Sequence, residues 1–291
     1  MTYAFDYKNV IRKFPGFQLG PINLNLEPGM VMGFIGPNGA GKTTSIQCLM
    51  GLLKADSGSV TIFGRENDPN KIDWKYDIGY VGDAHVFYEN WSGLKNLNFV
   101  SRFYPNWSDK LAEELANRFD IQLNKKAKEL STGNRVKLSL IMALAHSPRL
   151  LVLDEPTSGL DPVIRTELLD VLFSVLENGE RSIFYSTHII SDISRIADEL
   201  AFISNGKIIR RSAKDDLLDE WRSVSFRFAG KLPDLPSIIQ HQNEGPDHKL
   251  ICSDHYAVTD ILKRTGIENI QVNRMTLEEI TVQILKGSKN G

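Results

Sequence analysis

The sequence predicts an α/β protein: a doubly wound, largely parallel sheet, interrupted by a helical insertion and followed by a small α+β appendage. Three observations predict it. The short apolar runs "MVMGFIG" (30–36), "RLLVLDEP" (149–156) and "RSIFYSTH" (181–188) end in glycine, acidic or hydroxyl residues. That is the pattern of central parallel strands whose polar ends meet at a site. Segments of helical period, such as "PVIRTELLDVLFSVLEN", lie between them, and from residue 90 to about 145 the helical period takes over.

In chain order, 30–36 reads as a buried strand that turns through glycines into a helix expected from Lys42 to about Leu53. "SGSVTIFG" (57–64) and "YDIGYVG" (76–82) read as two further strands. Within the insertion, "SDKLAEELANRF" (108–119) is the clearest helix, because Ser108 suits an N-cap and Leu111, Leu115 and Phe119 share one stripe. After about residue 212 the pattern changes. "VSFRFAG", "HKLICS", "AVTDILKRTG", "ENIQVNRM" and "TLEEITVQILKG" suggest a small α+β appendage. The expected division is therefore 1–211, with the insertion at about 84–147, and 212–291.

Composition excludes several classes. With 291 residues, 42% apolar and 24% charged, the chain can bury a sizeable core and is not of disordered type. A formal net charge of −2 leaves no electrostatic footprint for nucleic acid, so no such partner is expected. Apolar runs such as "LSLIMALA" stop short of the roughly 20 residues a bilayer requires. The start, "MTYAFDYKNVIRKF", has no apolar core of a secretory signal. Cys48 and Cys252 suggest no disulfide framework and are expected to be partly buried thiols of a reducing compartment.

"GPNGAGKT" (36–43) carries the strongest chemistry. It matches G-x-x-x-x-G-K-[ST] between an expected strand and an expected helix. Gly36, Gly39 and Gly41, with Asn38 and Ala40 between them, let successive backbone N–H groups converge on phosphate oxygens. Lys42 supplies a cation for the β and γ oxygens and Thr43 a hydroxyl for Mg²⁺, and Thr44 beside it is expected among the ATP-binding residues. This motif alone leaves a kinase, a GTPase and an ATPase open. At the end of the strand at 150–154, Asp154 is placed to hold the metal. Glu155 points differently, and can orient and deprotonate an attacking water. His188, at a neighbouring strand tip, can reach the γ-phosphate and Glu155.

The ordered set "GPNGAGKTT", "LSTGN", "LLVLDEP", "SGLD" and His188 resembles the nucleotide-binding subunit of ATP-binding-cassette (ABC) transporters over about residues 1–211. Its pattern is nearest to bacterial export-type cassettes. The resemblance implies a phosphate-loop (RecA-like) core, ATP and Mg²⁺, and ATP hydrolysis coupled to transport. It also implies that two cassettes pack head to tail, the signature of each closing on ATP held by the other. Here that signature offers Ser131, Gly133 and Asn134; Thr132 and Asn134 replace the usual Gly and Gln. "SGLD" resembles the D-loop, with Asp161 bridging two sites. Phe14, or alternatively Phe17, takes the place of the aromatic that stacks on adenine. Where the family has a metal-touching Gln, this chain has Gly82-Asp83, so Asp83 is expected to keep the metal contact and Gly82 to add flexibility.

The resemblance also implies a second cassette and a separate transmembrane permease that holds the chain at the cytoplasmic face of the membrane. The aromatics Phe87, Tyr88, Trp91, Phe99, Phe103, Tyr104 and Trp107 are divided between a helical core and a groove for the permease. The competing reading is a soluble cassette ATPase acting on nucleic acid or ribosomes.

Overall fold

The computed structural model describes residues 2–176 and 181–287. It divides into two compact units. One is the chain up to Ala197 with Ile203–Ile208; the other is Asp198–Phe202 with the chain from Ile209 onward.

The chain opens with a hairpin of β1 (Phe5–Phe14) and β2 (Phe17–Leu26), followed by β3 (Val31–Ile35) and α1 (Lys42–Leu49). Next come β4 (Ser57–Ile62), β5 (Arg65–Glu66) and β6 (Ile78–Val81). The insertion holds α2 (Gly93–Val100), α3 (Asp109–Arg118) and α4 (Thr132–Leu144). β7 (Leu150–Asp154), α5 (Pro162–Leu176), β8 (Ser182–Thr187) and α6 (Ile190–Ile193) follow, then β9 (Glu199–Ser204) and β10 (Lys207–Ala213). The remainder is α7 (Lys214–Glu220), β11 (Arg222–Arg227), β12 (Ile238–Glu244), β13 (Asp247–Cys252), α8 (His255–Arg264), β14 (Gln271–Arg274) and α9 (Leu277–Gly287).

A six-stranded sheet of order β10-β9-β3-β8-β7-β6 carries the parallel core. β3, β8, β7 and β6 pair in parallel, and every residue of β3, β7 and β8 is buried. Burial on both faces is why these strands read as unbroken apolar runs. The register then does the positioning: Ile35 lies beside Thr187, and Asp154 beside Ser186. Three loops, after β3, β7 and β8, therefore leave the same edge of the sheet side by side, the usual place for a site in such folds.

Ser92, Ser108 and Ser131 cap the three inserted helices, accepting from the backbone N–H of Lys95, Leu111 and Asn134. Leu115 and Phe119 of the expected stripe are buried, together with Ala112 and Ala116. α1 is shorter than its sequence pattern suggests. It ends at Leu49 because Gly51, at φ +62°, turns the chain and donates its N–H to Cys48.

An antiparallel sheet of order β2-β1-β4-β5 was not expected from the sequence. Register shifts at Tyr7–Val10 and Val10–Arg12 break the alternation that would have betrayed β1. In the second unit, β12, β13, β11 and β14 form an antiparallel sheet in that order. Its core is Val224, Phe226, Leu250 and Cys252 against Val258 and Leu262 of α8. The edge strand β12 also escaped the sequence reading, since "IIQHQNE" is largely polar and exposed.

Candidate functional site

The loop from Gly36 to Thr43 wraps the N-terminus of α1. Gly41 caps that helix at φ +107°, a conformation that favours glycine. A Cβ on Gly36 would lie 2.5 Å from the Ile203 carbonyl oxygen, so this glycine is required by close approach of backbone. The loop opens into a cleft of about 430 Å³, lined by Asn38, Gly39, Gly41, Lys42, Thr43 and Thr44. Across from the loop stand Asp83, Glu155, Ser158 and His188, with Phe17 on the rim. Six expected loop residues thus line the cleft. Gly36 and Ala40 stand behind it, Ala40 accepting from the Gly206 N–H at 2.9 Å.

Lys42 is nearly buried, and its ammonium is shared. It donates to the carbonyls of Gly36 (2.8 Å) and Pro37 (3.2 Å) and lies 3.0 Å from Glu155 Oε1. The other Glu155 oxygen, Oε2, is 2.7 Å from His188 Nδ1. Glu155 is a non-glycine residue at φ +51°, held there by its own N–H, which faces the Ser186 carbonyl at 3.1 Å and hydroxyl at 3.2 Å. Backbone strain of this kind clusters at functional sites. Glu155 therefore sits between the Lys42 ammonium and the His188 imidazole, with Oε1 in an ion pair but without a hydrogen-bond partner and Oε2 against the imidazole.

Asp154 is fully buried. Ser186 donates to its Oδ1 at 2.5 Å, whereas Oδ2 is buried without a hydrogen-bond partner. Burial raises its pKa; the hydroxyls of Ser186 and Thr43 and the Lys42 ammonium work against that rise. Tyr80 belongs to the same electrostatic group. Burial, and then the carboxylates of Asp154 and Asp83, push its phenol up to about 12, so it remains a neutral donor. Asp154, whose Oδ2 has no hydrogen-bond partner, the Thr43 hydroxyl that interacts with it, and Asp83 in the cleft wall offer oxygen donors only. Hard cations such as Mg²⁺ require that chemistry.

Not every expected residue enters the cleft. Phe17 lines it, while the exposed Phe14 does not, the two ring centroids lying 6.2 Å apart. A Cβ on Gly82 would meet the Tyr80 hydroxyl at 2.6 Å. Ser131, Gly133 and Asn134 are absent from the lining. Ser131 is exposed at the start of α4, and Gly133 is packed so that a Cβ would meet Ile164 at 2.6 Å. Asp161 caps α5, accepting from Val163 N at 3.0 Å and Ile164 N at 3.1 Å. Pro162 follows at the first helical position, where its missing N–H costs nothing.

The sequence reading missed Ser158, Ser186 and Tyr80. The hydroxyl pair Ser186-Thr187 before His188 was the available signal for one of them.

The segment after Asp83 is stapled to the helix that begins at Ser131. Arg135 holds Glu89 through both guanidinium arms (3.0 and 2.6 Å) and donates to the His85 carbonyl at 3.2 Å. One turn further along α4, Ser139 Oγ pairs with His85 Nδ1 at 3.0 Å. Beyond the staple lies an aromatic cluster: Tyr88 stacks on Trp91 at 4.3 Å, and Phe99 meets Trp91 and Phe103 edge-on. Tyr88 and Phe103 are more than half exposed. Tyr104 instead stacks on the buried His146 at 3.9 Å.

Comparison with known proteins points to one family. The family description "ABC transporter" matches residues 19–158. The chain is 34% identical to the bacitracin transport ATP-binding protein BcrA of Bacillus licheniformis, over 90% of this chain and 89% of that protein. It is 35% identical to the lantibiotic transport ATP-binding protein SrtF of Streptococcus pyogenes, over 68% and 85% of the two chains. Among solved structures, the ATP-binding subunit of an ABC transporter superposes with a TM-score of 0.67 at 24% identity, covering 74% of this chain and 92% of that one. CbiO1 of Clostridium perfringens, part of an ABC transporter complex, gives 0.65 at 23% identity, covering 76% and 92%.

Proposed function

The chain belongs to the ABC transporter family as an ATP-binding, ATP-hydrolysing subunit, and on that premise we propose that two copies share each ATP and drive a separate membrane permease, in the export direction. The observation that carries this reading is the division of the machinery. The phosphate loop, Asp83, Glu155 and His188 share one cleft, and the signature residues Ser131, Gly133 and Asn134 lie outside it. A γ-phosphate in this cleft meets a signature only if another chain supplies one.

In this reading the loop N–H groups and Lys42 hold the phosphates, Lys42 exchanging its loop carbonyls for phosphate oxygens. Phe17 gives the adenine a stacking face. Thr43, Asp154 and Asp83 would hold Mg²⁺, which when bound neutralises charge on the β and γ oxygens. Glu155 orients the attacking water and accepts its proton, and His188 fixes the carboxylate in line. Ser131 and the Gly133 N–H of the second copy close the far side of the γ-phosphate. After hydrolysis those contacts are lost and the pair reopens. The Arg135–Glu89 staple connects that closure to the segment after Asp83.

Among the described residues no helix is long and apolar enough to cross a membrane. The membrane step falls to the permease, docked on the exposed aromatic cluster around Tyr88 and Phe103. Such rigid aromatic anchors suit a central contact, and the docking places the chain at the cytoplasmic face.

Glu155→Gln tests the proposal. Turnover should fall by about 10² to 10⁴ as the general base is lost, with ATP still bound. Sedimentation should then show a dimer that forms only with ATP. A monomer at every ATP concentration contradicts the proposal.

A further inference from the structure

A second fully buried carboxylate lies just outside the cleft. Asp192 is in α6, four residues beyond His188, and does not line the cleft. It accepts hydrogen bonds from the Thr157 hydroxyl and from Arg165 Nε, and the Tyr185 hydroxyl approaches at 3.5 Å. Thr157 is two residues past Glu155. Arg165 belongs to the first turn of α5, four residues past Asp161, and its Nη2 donates to Ser191 Oγ at 2.5 Å. Tyr185 is three residues before His188, and its hydroxyl also meets Thr157 Oγ1 at 3.3 Å.

These bonds join the two loops that carry the catalytic pair. α6 is only four residues long, too short to hold its own shape. The His188 side chain is 40% exposed, so packing fixes it poorly. A fully buried carboxylate held by a charged donor and a buried hydroxyl is rigid, because it has no water to take in exchange for them; the Arg165 side chain itself is 24% exposed. Here Asp192 grips the loop after Glu155 from one side and the backbone after His188 from the other.

We propose that Asp192 is a positioning residue for ATP hydrolysis: bonded to Thr157 and Arg165, it sets the separation of the two loops and so keeps His188 Nδ1 against Glu155 Oε2. The proposal rests on the assignment of Glu155 and His188 given above. It makes Asp192 act through His188 rather than on the nucleotide.

The test uses steady-state ATP turnover of the full chain. Asp192→Asn should lower kcat about 10- to 100-fold while leaving KM for ATP within about threefold, the pattern of a lost transition-state contact. In a His188→Ala background the same change should cost less than about twofold, because residues acting as one unit are non-additive. An equal loss in both backgrounds, or unchanged kcat, overturns the proposal. Arg165→Met with Asp192→Leu removes both charges, a replacement that buried pairs tolerate. That doubly altered chain should fold and stay as slow as Asp192→Asn; wild-type turnover would show that Asp192 serves only stability and overturn the proposal. If Glu155→Gln and His188→Ala stop turnover while Asp192→Asn does not, this inference alone fails. If Glu155→Gln and His188→Ala turn over normally, the underlying assignment fails with it.

Discussion

Ser186→Ala should separate metal binding from placement of the base. The hydroxyl is the 2.5 Å donor to Asp154 Oδ1, and Oδ2 has no hydrogen-bond partner. Removing it strips a close donor from a fully buried carboxylate. A hydrogen bond to a charged group contributes about 1.5–3 kcal/mol, and that is the expected loss of stability without nucleotide at pH 7.5. Expressed through Asp154, losing this hydroxyl removes one of the influences that lower its pKa, so the carboxyl is pushed further in the direction burial already drives it.

The sign follows from the raised pKa, whose first cause is burial. The folded state binds the Asp154 proton more tightly than the unfolded chain does. Its contribution is therefore fully present below the unfolded value near 3.8 and is lost as pH rises through the folded pKa. The destabilisation by Ser186→Ala should be largest at neutral pH and above, and shrink as pH falls toward 3.8. Urea unfolding across that range reads it directly. With ATP saturating, the Mg²⁺ concentration for half-maximal turnover should rise about 10- to 100-fold, as when the partner of a metal ligand is removed. Glu155 keeps its backbone bond to the Ser186 carbonyl, so kcat at high Mg²⁺ should change far less. An unchanged Mg²⁺ requirement together with a pH-independent loss of stability would refute the reasoning.

Two further expectations follow. Phe17→Ala should weaken ATP binding by about 1–3 kcal/mol, the value of an aromatic stacked on a base, whereas Phe14→Ala should leave it nearly unchanged; titration with a fluorescent ATP analogue distinguishes them, and the reverse order would return the adenine to Phe14. Asp83→Ala should lower turnover at limiting Mg²⁺ and recover at high Mg²⁺, and kinetics identical to wild type at all Mg²⁺ concentrations would remove Asp83 from the metal site.

Much of the core was legible because a single physical signal dominated each part. β3, β7 and β8 are buried on both faces, so their runs are apolar without interruption, and the motif residues stand where those runs stop. The serine cap at Ser108 was readable for a local reason: a side-chain oxygen satisfies a free backbone N–H nearby in sequence. What escaped depends on distant partners. β1 takes its place from β2 and β4 through a bulged register, and its pattern of burial follows no simple alternation. β12 is an exposed edge strand with little apolar content. Ser186 and Tyr80 matter through their closeness to Asp154, which arises only when β6, β7 and β8 align. Phe14 and Phe17 flank one tight turn, and spacing alone did not distinguish which ring faces the cleft. Asp192 gave no signal at all, because its meaning lies in bonds across 27 and 35 residues of chain.

The central claim is that one ATP is enclosed by two chains, and mixing two disabled chains tests it most directly. Lys42→Ala spoils the phosphate loop but keeps the signature; Ser131→Ala does the reverse. Each alone should turn over ATP poorly. In a mixture, random pairing places half the chains in mixed dimers, each with one intact composite site, so about a quarter of wild-type turnover should return. If the mixture shows only the sum of its two inactive parts, the nucleotide is handled within a single chain and the account is wrong.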